Sequence, residues 1–265
     1  MFAQVVVIAL AVSPLVAAHG RVDVITGDAG GNGTALAIQG GVVPLTGKNK
    51  VTEVDTTVFG SRDPASNGLG KTTDTGKIQA ADLNQLMTQA TAQAGSTLPQ
   101  VNSSLSGTWH VVTSDGFGKV FAVLDPTATG SFADGVPLTT TLDVPGNNGN
   151  PPKGNNKYKK SVLRRLAERV GVIEKRATNV NEDFPMTFTV PAGTTCNGTV
   201  GDQTNVCLVK ITNKNGAGPF GGVVPIQMAG AAPAAPAAAA PSGGAAVTAG
   251  TAGTATGKER REFVA

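Results

Sequence analysis

Short apolar runs alternate with polar turns along most of the chain, from Val22 to about Asp143. Runs such as TTVFG, TWHVV and KVFAVLD are rich in Val, Thr, Leu and Phe, and they are separated by Gly, Asn, Asp and Pro. Many short strands with frequent turn signals are typical of a β-sandwich or barrel. MTFTVPAGTTC, NVCLVKITN and FGGVVPIQM continue the pattern, and the last of these is the predicted final strand. The sequence therefore predicts a mainly-β domain over residues 19–228.

One stretch inside this pattern has the period of a helix instead. Residues 80–94, AADLNQLMTQATAQA, are rich in helix-forming residues, and their larger apolar positions fall on one face. These positions are Leu83, Leu86, Met87 and Ala90. We expect a helical insertion on the sandwich.

A second departure is a basic insertion over about 146–178. It opens with PGNNGNPPKGNN, which is a predicted loop because Gly, Pro and Asn oppose regular structure. The following KYKKSVLRRLAERVGVIEKR can form an amphipathic helix. Its apolar stripe is Leu163, Leu166, Val170 and Ile173, flanked by Arg164, Arg165 and Arg169. Three alternatives are open for this helix: docking on the sandwich, binding to a membrane surface or a partner, and proteolytic processing at the dibasic Lys175-Arg176 pair.

Both ends of the chain lie outside the predicted domain. Residues 1–18 contain the apolar run VVVIALAV, no charge, and the small residues Val16 and Ala18 that signal peptidase favours before a cut. This run is too short to span a bilayer, so we interpret it as a signal peptide whose removal leaves His19 as the first residue. Residues 229–265 consist largely of Ala, Gly, Pro, Ser and Thr and predict a disordered tail. We therefore expect a secreted, extracellular or cell-surface protein without a transmembrane segment.

The net charge of +3 hides an uneven distribution. Residues 153–176 hold nine Lys or Arg and two Glu, which leaves 12 basic and 16 acidic residues in the rest of the chain. The body is therefore mildly acidic, and outside this one cluster it lacks the basic surface that nucleic acid requires. We expect no nucleic-acid partner, and we expect a monomer.

The cysteines and the glycosylation sequons fit an exported protein. Cys196 and Cys207 are the only cysteines, and they predict one disulfide in an oxidising compartment. Asn32, Asn102 and Asn197 each begin an Asn-X-Ser/Thr sequon, which predicts N-glycosylation of surface loops.

Only two histidines, His19 and His110, are available for chemistry that uses imidazole. After cleavage, His19 carries a free α-amino group, and a terminal histidine can chelate a metal through this amine and its ring Nδ1. His110 adds a third nitrogen donor. Nitrogen donors in a planar arrangement suit copper, which also binds most tightly among the divalent first-row metals. Copper is therefore the candidate cofactor.

Other enzyme classes have weaker support. The chain contains no G-x-S-x-G motif, so a serine hydrolase triad has no anchor. A glycosidase carboxylate pair stays open, because the sequence does not give the separation of the available acids. The acids considered are Glu53, Asp55, Asp115 and Asp125.

Several segments, in chain order, resemble one family. HG at the mature start, EVDTTVFGSRDPASNGLGKT, WHVVTSDGFGKVFAVLDPTATG, VPAGTTCNGTVGDQTNVCLVKITN and GAGPFGGVVPIQ resemble the fungal appressorium-specific secreted virulence factors, cell-surface proteins made during host penetration. The likeness runs from His19 to about Met228 and leaves out the basic insertion and the tail. It implies an exported fungal protein associated with infection or wall remodelling.

A more distant resemblance bears on mechanism. The processed His19, the internal His110 before a polar Gly turn, and the final GAGPFGG strand are similar to the copper histidine brace of lytic polysaccharide monooxygenases. This resemblance implies an immunoglobulin-like β-sandwich, one copper ion bound by both histidines, an axial, non-coordinating Phe220, and oxidation of a cell-wall polysaccharide. The chain departs from those enzymes because it has no third histidine and has Gly218 where some of them place a glutamine. The alternative is a non-catalytic cell-surface or effector protein that binds a host or fungal wall component.

Overall fold

The computed structural model describes residues 20–39, 55–147, 149–154, 156–158, 161–172, 179–216 and 218–230. Several predictions fall on residues outside these ranges. They concern the signal peptide over residues 1–18, His19, the end of the basic insertion from Ile173 to Arg176, and the tail beyond residue 230.

Strands dominate the described part of the chain, and all of them join one hydrogen-bonded sheet. The strands are β1 (Gly20–Gly27), β2 (Gly30–Gly33), β3 (Thr57–Val58), β4 (Lys71–Thr72), β5 (Gly76–Lys77), β6 (Gln100–Val101), β7 (Ser104–Thr113), β8 (Val120–Asp125), β9 (Val136–Leu142), β10 (Asn179–Thr189), β11 (Gly198–Val200), β12 (Gln203–Asn213) and β13 (Phe220–Met228).

The order of the strands makes this sheet fold over on itself. Its main path runs β2-β1-β7-β10-β9-β8-β12-β13-β3-β4-β5, with β11 added to β12 and β6 to β13. Strand β9 pairs with both β10 and β8, so it joins the two halves of the sheet. Only the short β6 runs parallel to its neighbour, and the other pairs are antiparallel in the described ranges. The mainly-β prediction is confirmed, with both layers formed by one curled antiparallel sheet.

The main core lies between the two halves of the sheet. One half contributes Val22 and Trp109, and the other contributes Ile211, all of them fully buried. Gly222 is closely packed: a Cβ atom there would lie 2.4 Å from the Cβ of Ala35, in the segment after β2, and 3.5 Å from that of Val22 in the opposite half. Because neighbouring residues of a strand point to opposite faces, the residues that flank Val22 and Trp109 face away from this core.

The predicted helical insertion over residues 80–94 is confirmed. A 3₁₀ turn at Ala80–Asp82 leads into helix α1 (Leu83–Ala94), which ends at Gly95 in a left-handed conformation with φ of 58°. The apolar face of α1 packs in a second core cluster against the outer face of β12 and β13. The members are Leu83, Leu86 and Met87 from the helix and Val206, Leu208 and Val223 from the strands. Strand β12 is consequently buried on both faces, which explains its nearly continuous apolar run.

The helix of the basic insertion, α2 (Val162–Arg169), does not dock on the sandwich. Its Leu163 and Leu166 side chains are 80% and 58% exposed, so the docking alternative is wrong for the described part of the stripe. An amphipathic pattern shows which face of a helix is apolar, and it does not show which surface covers that face. Neither helix of the described ranges has the length and apolar character needed to cross a membrane.

Candidate functional site

His110 lies in a row of polar side chains that crosses three strands. β7 pairs with β1 on one side and β10 on the other, and the registers place Arg21 and Asp183 directly opposite His110. The neighbouring Trp109 enters the core, where its Nε1 donates a hydrogen bond to the Gly116 carbonyl oxygen at 3.0 Å. The polar row therefore lies on the face of the sheet that is turned away from the main core.

Both ring nitrogens of His110 face oxygen atoms on β10. Nδ1 lies 2.6 Å from Asp183 Oδ1, and Nε2 lies 2.8 Å from Asn181 Oδ1. A carboxylate only accepts, so Nδ1–H donates to Asp183 and orients a ring whose side chain is only 12% exposed. Metal-binding histidines commonly donate their second ring N–H to a carboxylate in this way. Nε2 faces an amide oxygen, to which it can only donate a proton, so it can offer a lone pair to a metal only when it has lost that proton and the Asn181 amide turns aside.

Asn181 reaches His110 from an irregular part of β10. The register with β7 shifts between Asn179 and Glu182, and Asn181 has a φ of 55°. Non-glycine residues seldom adopt this left-handed conformation, which costs on the order of 1 kcal/mol and recurs at functional sites. The irregular backbone therefore lies at Asn181, the residue whose side chain faces Nε2 of His110.

Glu182 fixes the same part of β10 to the turn at Asn156–Tyr158. The Tyr158 hydroxyl donates to Glu182 Oε2 at 2.5 Å, and Lys157 forms an ion pair with Oε1. The hydrogen bonds from Lys157 and Tyr158 hold the pKa of Glu182 below its usual range, while the hydrogen bond to Glu182 raises the pKa of Tyr158. The Tyr158 ring packs on Phe117 with 4.8 Å between centroids. These contacts hold the strand that carries Asn181 and Asp183.

A second carboxylate and a buried guanidinium complete the row. The register of β1 shifts at Asp23, and potential ligand atoms of Asp23, His110 and Asp183 lie within 4.8 Å of one another. Arg21 Nε forms an ion pair with Asp23 Oδ1 at 2.8 Å, but the angle at the N–H group is not that of a hydrogen bond. Arg21 Nη1 is buried and has no hydrogen-bond partner in the part of the chain that the structure describes. Such a donor is costly to bury, so the site holds an unsatisfied group beside Asp23.

The described residues offer a metal one imidazole nitrogen and carboxylate oxygens. Carboxylates alone suit hard ions, whereas copper favours nitrogen donors. The other histidine, His19, lies outside the described residues. Gly20, which follows it in the chain, pairs with Val111, the neighbour of His110. Copper binding by His110 together with His19 stays a prediction.

Phe220, the predicted axial residue, begins β13 and is buried. It pairs with Val58 and shares a face of β13 with Gly222, which lies against Val22 in the main core. His110 lies on the face of its strand that is turned away from that core. The structure thus does not bring Phe220 to the polar row, and the axial role stays a prediction.

The predicted cysteines and the three sequon asparagines all lie within the described residues. Cys196 and Cys207 form the predicted disulfide. Asn32, Asn102 and Asn197 are all exposed, as attachment of a glycan requires, and glycosylation itself stays a prediction.

Asp125, one of the acids considered for a glycosidase pair, has a structural role. Its carboxylate is fully buried and accepts hydrogen bonds from several backbone N–H groups of the turn after β8. The donors are Thr127, Thr129, Gly130 and Ser131. Asp125 therefore stabilises this turn and has no surface for a substrate. Glu53 lies outside the described residues.

The partners of His110 were not predicted from the sequence. Asp23 stands in RVDV, which alternates as an ordinary strand does, whereas Asn181 and Asp183 stand in the polar run NED of β10. Polar residues at successive positions of a strand are a signal of an irregularity such as a bulge. The pairing of these runs with His110 depends on register and is visible only in the structure.

Comparisons with known proteins agree with the first resemblance. Residues 17–221 match the family model of the Egh16-like virulence factors. The chain is 33% identical over 225 residues to the appressoria-specific virulence factor GAS1 of Pyricularia oryzae. The aligned region makes up 83% of this chain and 75% of that protein. It is 30% identical over 138 residues to the appressoria-specific virulence factor GAS2 of the same fungus. This aligned region makes up 51% of this chain and 39% of that protein. No solved structure matches the chain, and the resemblance to lytic polysaccharide monooxygenases stays a prediction.

Proposed function

The chain belongs to the Egh16-like virulence-factor family, and from this premise we propose that it works outside the fungal cell as a copper-binding protein with His19 and His110 as ligands. Membership of the family makes it an infection-associated fungal protein. The apolar leader, the disulfide and the three exposed sequons support secretion.

The orientation of the His110 ring carries the proposal. The Nδ1–H group is held by the Asp183 carboxylate, so Nε2 is the ring nitrogen left to bind a metal, once it is deprotonated and the Asn181 amide oxygen opposite it has turned aside. Removal of the leader would make His19 the first residue of the chain. The residue after it, Gly20, pairs with the neighbour of His110 on β7. The amine of a new terminus has a pKa of about 8, low enough for copper to displace its proton near neutral pH.

The chain's own residues set the conditions for chemistry at this site. Asp183 orients the imidazole, Asn181 covers its ligand atom, and Arg21 brings a buried positive charge beside Asp23. Copper, when bound, supplies one-electron chemistry with oxygen or peroxide, and oxidation of a cell-wall polysaccharide is the activity that we propose for the loaded protein.

Copper titration of the secreted protein tests the ligand set. We expect intact-mass analysis to give a start at His19 and calorimetry to give one copper per chain. His110→Ala should abolish this binding, and Asp183→Asn should weaken it about 10–100-fold because the ring loses its orienting partner. Ser106→Ala, on the same face of β7, is the matched control and should bind as the wild type does. A start elsewhere, or unchanged affinity in His110→Ala, would show that the two histidines do not form the site.

A second assay separates catalysis from binding. The copper-loaded protein is incubated with a reductant and a broad panel of plant and fungal wall polysaccharides. Oxidised oligosaccharides that are absent with His110→Ala support the oxidative activity. Pull-down by an insoluble wall fraction without any oxidised product favours the alternative, a non-catalytic surface or effector protein.

A further inference from the structure

Helix α2 exposes large apolar side chains that a globular helix normally buries. Val162 and Leu163 are 79% and 80% exposed, Leu166 is 58% exposed, and Val170 in the turn that follows is 65% exposed. The large apolar side chains of α1, by contrast, are buried. A contiguous apolar surface of this kind marks a site of interaction.

The exposed residues lie on one side of the helix. At 100° per residue, Leu163, Leu166 and Val170 fall within one arc, whereas Arg165 and Arg169 fall outside it. Backbone hydrogen bonds continue beyond both ends of the helix, from Arg165 N to Ser161 O and from Val170 N to Leu166 O. The segment therefore presents an apolar arc, and both guanidinium groups lie beyond the same edge of it, the edge at Leu166.

The charge of this segment is opposite to that of the rest of the chain. Residues 153–176 carry nine basic and two acidic residues, a net charge of +7, while the remainder carries 12 basic and 16 acidic residues, a net charge of −4. A strongly positive segment with an apolar arc is complementary to a surface that is anionic at its boundary and apolar beneath it.

From these features we propose that α2 is an interfacial segment that binds the surface of an anionic lipid membrane. The apolar side chains enter the acyl boundary, and the Arg165 and Arg169 side chains reach back to the lipid phosphates. The helix lies along the surface and does not span the bilayer.

A lipid surface is a better candidate than a second copy of the chain for the partner that covers the exposed apolar arc. Pairing two α2 arcs would bring two segments of net charge +7 together, and like charges repel. A two-turn helix is also marginal in water, and a bilayer stabilises it without the need for a complementary shape. This proposal is independent of copper binding, so each can fail alone.

Flotation of the full secreted protein with lipid vesicles tests the proposal. We expect binding to phosphatidylcholine vesicles that contain about 30% phosphatidylserine, weaker binding to phosphatidylcholine alone, and release by salt. Leu163→Asp with Leu166→Asp should abolish flotation, because two charges then stand in the apolar arc. Arg165→Gln with Arg169→Gln should weaken it about 25-fold, since each basic residue contributes roughly fivefold near an anionic surface.

Leu142→Asp is the matched control, because Leu142 is an exposed apolar residue at the end of β9, away from the helix in the chain. It should float as the wild type does, and all variants should keep the wild-type thermal midpoint. Equal binding to neutral vesicles, unchanged flotation of the leucine variant, or no binding at all would overturn the proposal. A dimer in sedimentation that the leucine variant dissolves would assign the arc to a second copy instead.

Discussion

Lys210 is enclosed in β12, although lysine side chains are rarely buried. It is 0% exposed, its Nζ donates to the Ser66 carbonyl oxygen at 2.7 Å, and it lies 4.5 and 5.3 Å from the centroids of the Phe59 and Phe132 rings. The carbonyl and the aromatic faces replace part of the hydration that the ammonium loses. Burial lowers the pKa of Lys210 to about 8, against the opposing influence of Asp63.

This lowered pKa predicts that stability rises with pH between about 8 and 10.5. In this window the unfolded chain still holds the proton, up to the ordinary pKa of 10.5, while the folded chain has released it. The unfolded state then binds more protons, so the free energy of unfolding increases with pH. Across the window we expect the wild type to gain about 1–3 kcal/mol relative to Lys210→Met, measured by urea unfolding followed through Trp109 fluorescence.

The control is Lys214→Met, which removes an exposed lysine whose Nζ lies 4.2 Å from the Phe121 ring centroid. Its stability should follow the wild-type pH profile. Below pH 8 the Lys210 contribution should be constant, because both states are then protonated. Parallel curves for Lys210→Met and the wild type from pH 8 to 10.5 would contradict the assigned pKa.

His110 could be singled out from the sequence, and its surroundings could not. It is one of two histidines, and TWHVV predicts a strand, so its identity and its element were both accessible. Asp183 and Asn181 lie more than 70 residues further along the chain and meet it only through the register of β10 with β7. Register between distant strands depends on the packing of the whole sheet, which a single sequence does not display.

At the scale of elements, the periodicity of apolar residues predicted the strands and helices that depend on local sequence. The run FGGVVPIQM coincides with β13, and the helical spacing within residues 80–94 corresponds to α1. Whether the apolar face of α2 is buried could not be predicted in this way, because a docked helix and an exposed helix can have the same amphipathic pattern. The two helices differ in what lies nearby: α1 covers β12 and β13, whereas the apolar arc of α2 is exposed.

The disulfide stabilises the hairpin formed by β11 and β12. Cys196 precedes β11, and Cys207, which is fully buried, lies in β12, 11 residues further along the chain. A bridge across a loop of this length restricts the unfolded chain and contributes about 3 kcal/mol. We expect Cys196→Ala with Cys207→Ala to lower the free energy of unfolding by this amount in urea.

Reduction of the wild type offers the comparison for this variant. The reduced wild type should unfold at nearly the same urea concentration as the double variant, since both lack the constraint. The wild type should be insensitive to mild oxidants, because both of its cysteines are already paired. A double variant as stable as the oxidised wild type would mean that the hairpin is held by packing alone.

At the scale of the molecule, the fold depends on how one sheet closes on itself. Strands β1 and β13 stand near opposite ends of the described chain, yet Val22 and Gly222 meet across the core. The sequence predicts strands and a sandwich or barrel, but the path through β9 that joins both halves depends on contacts distant in sequence. The absence of a side chain at Gly222 is what allows the close approach.

Gly222→Ala therefore tests the closure directly. The new Cβ would lie 2.4 Å from the Ala35 Cβ, closer than non-bonded carbon atoms can approach, so β13 and the segment that carries Ala35 must move apart locally. Overpacking of this kind costs about 1–3 kcal/mol, which should lower the thermal midpoint. Gly60→Ala is the matched control, because a Cβ there meets no atom within 4 Å and the backbone does not have a positive φ. If both variants melt with the wild type, the two halves of the sheet are not in contact at Gly222, and the core closes elsewhere.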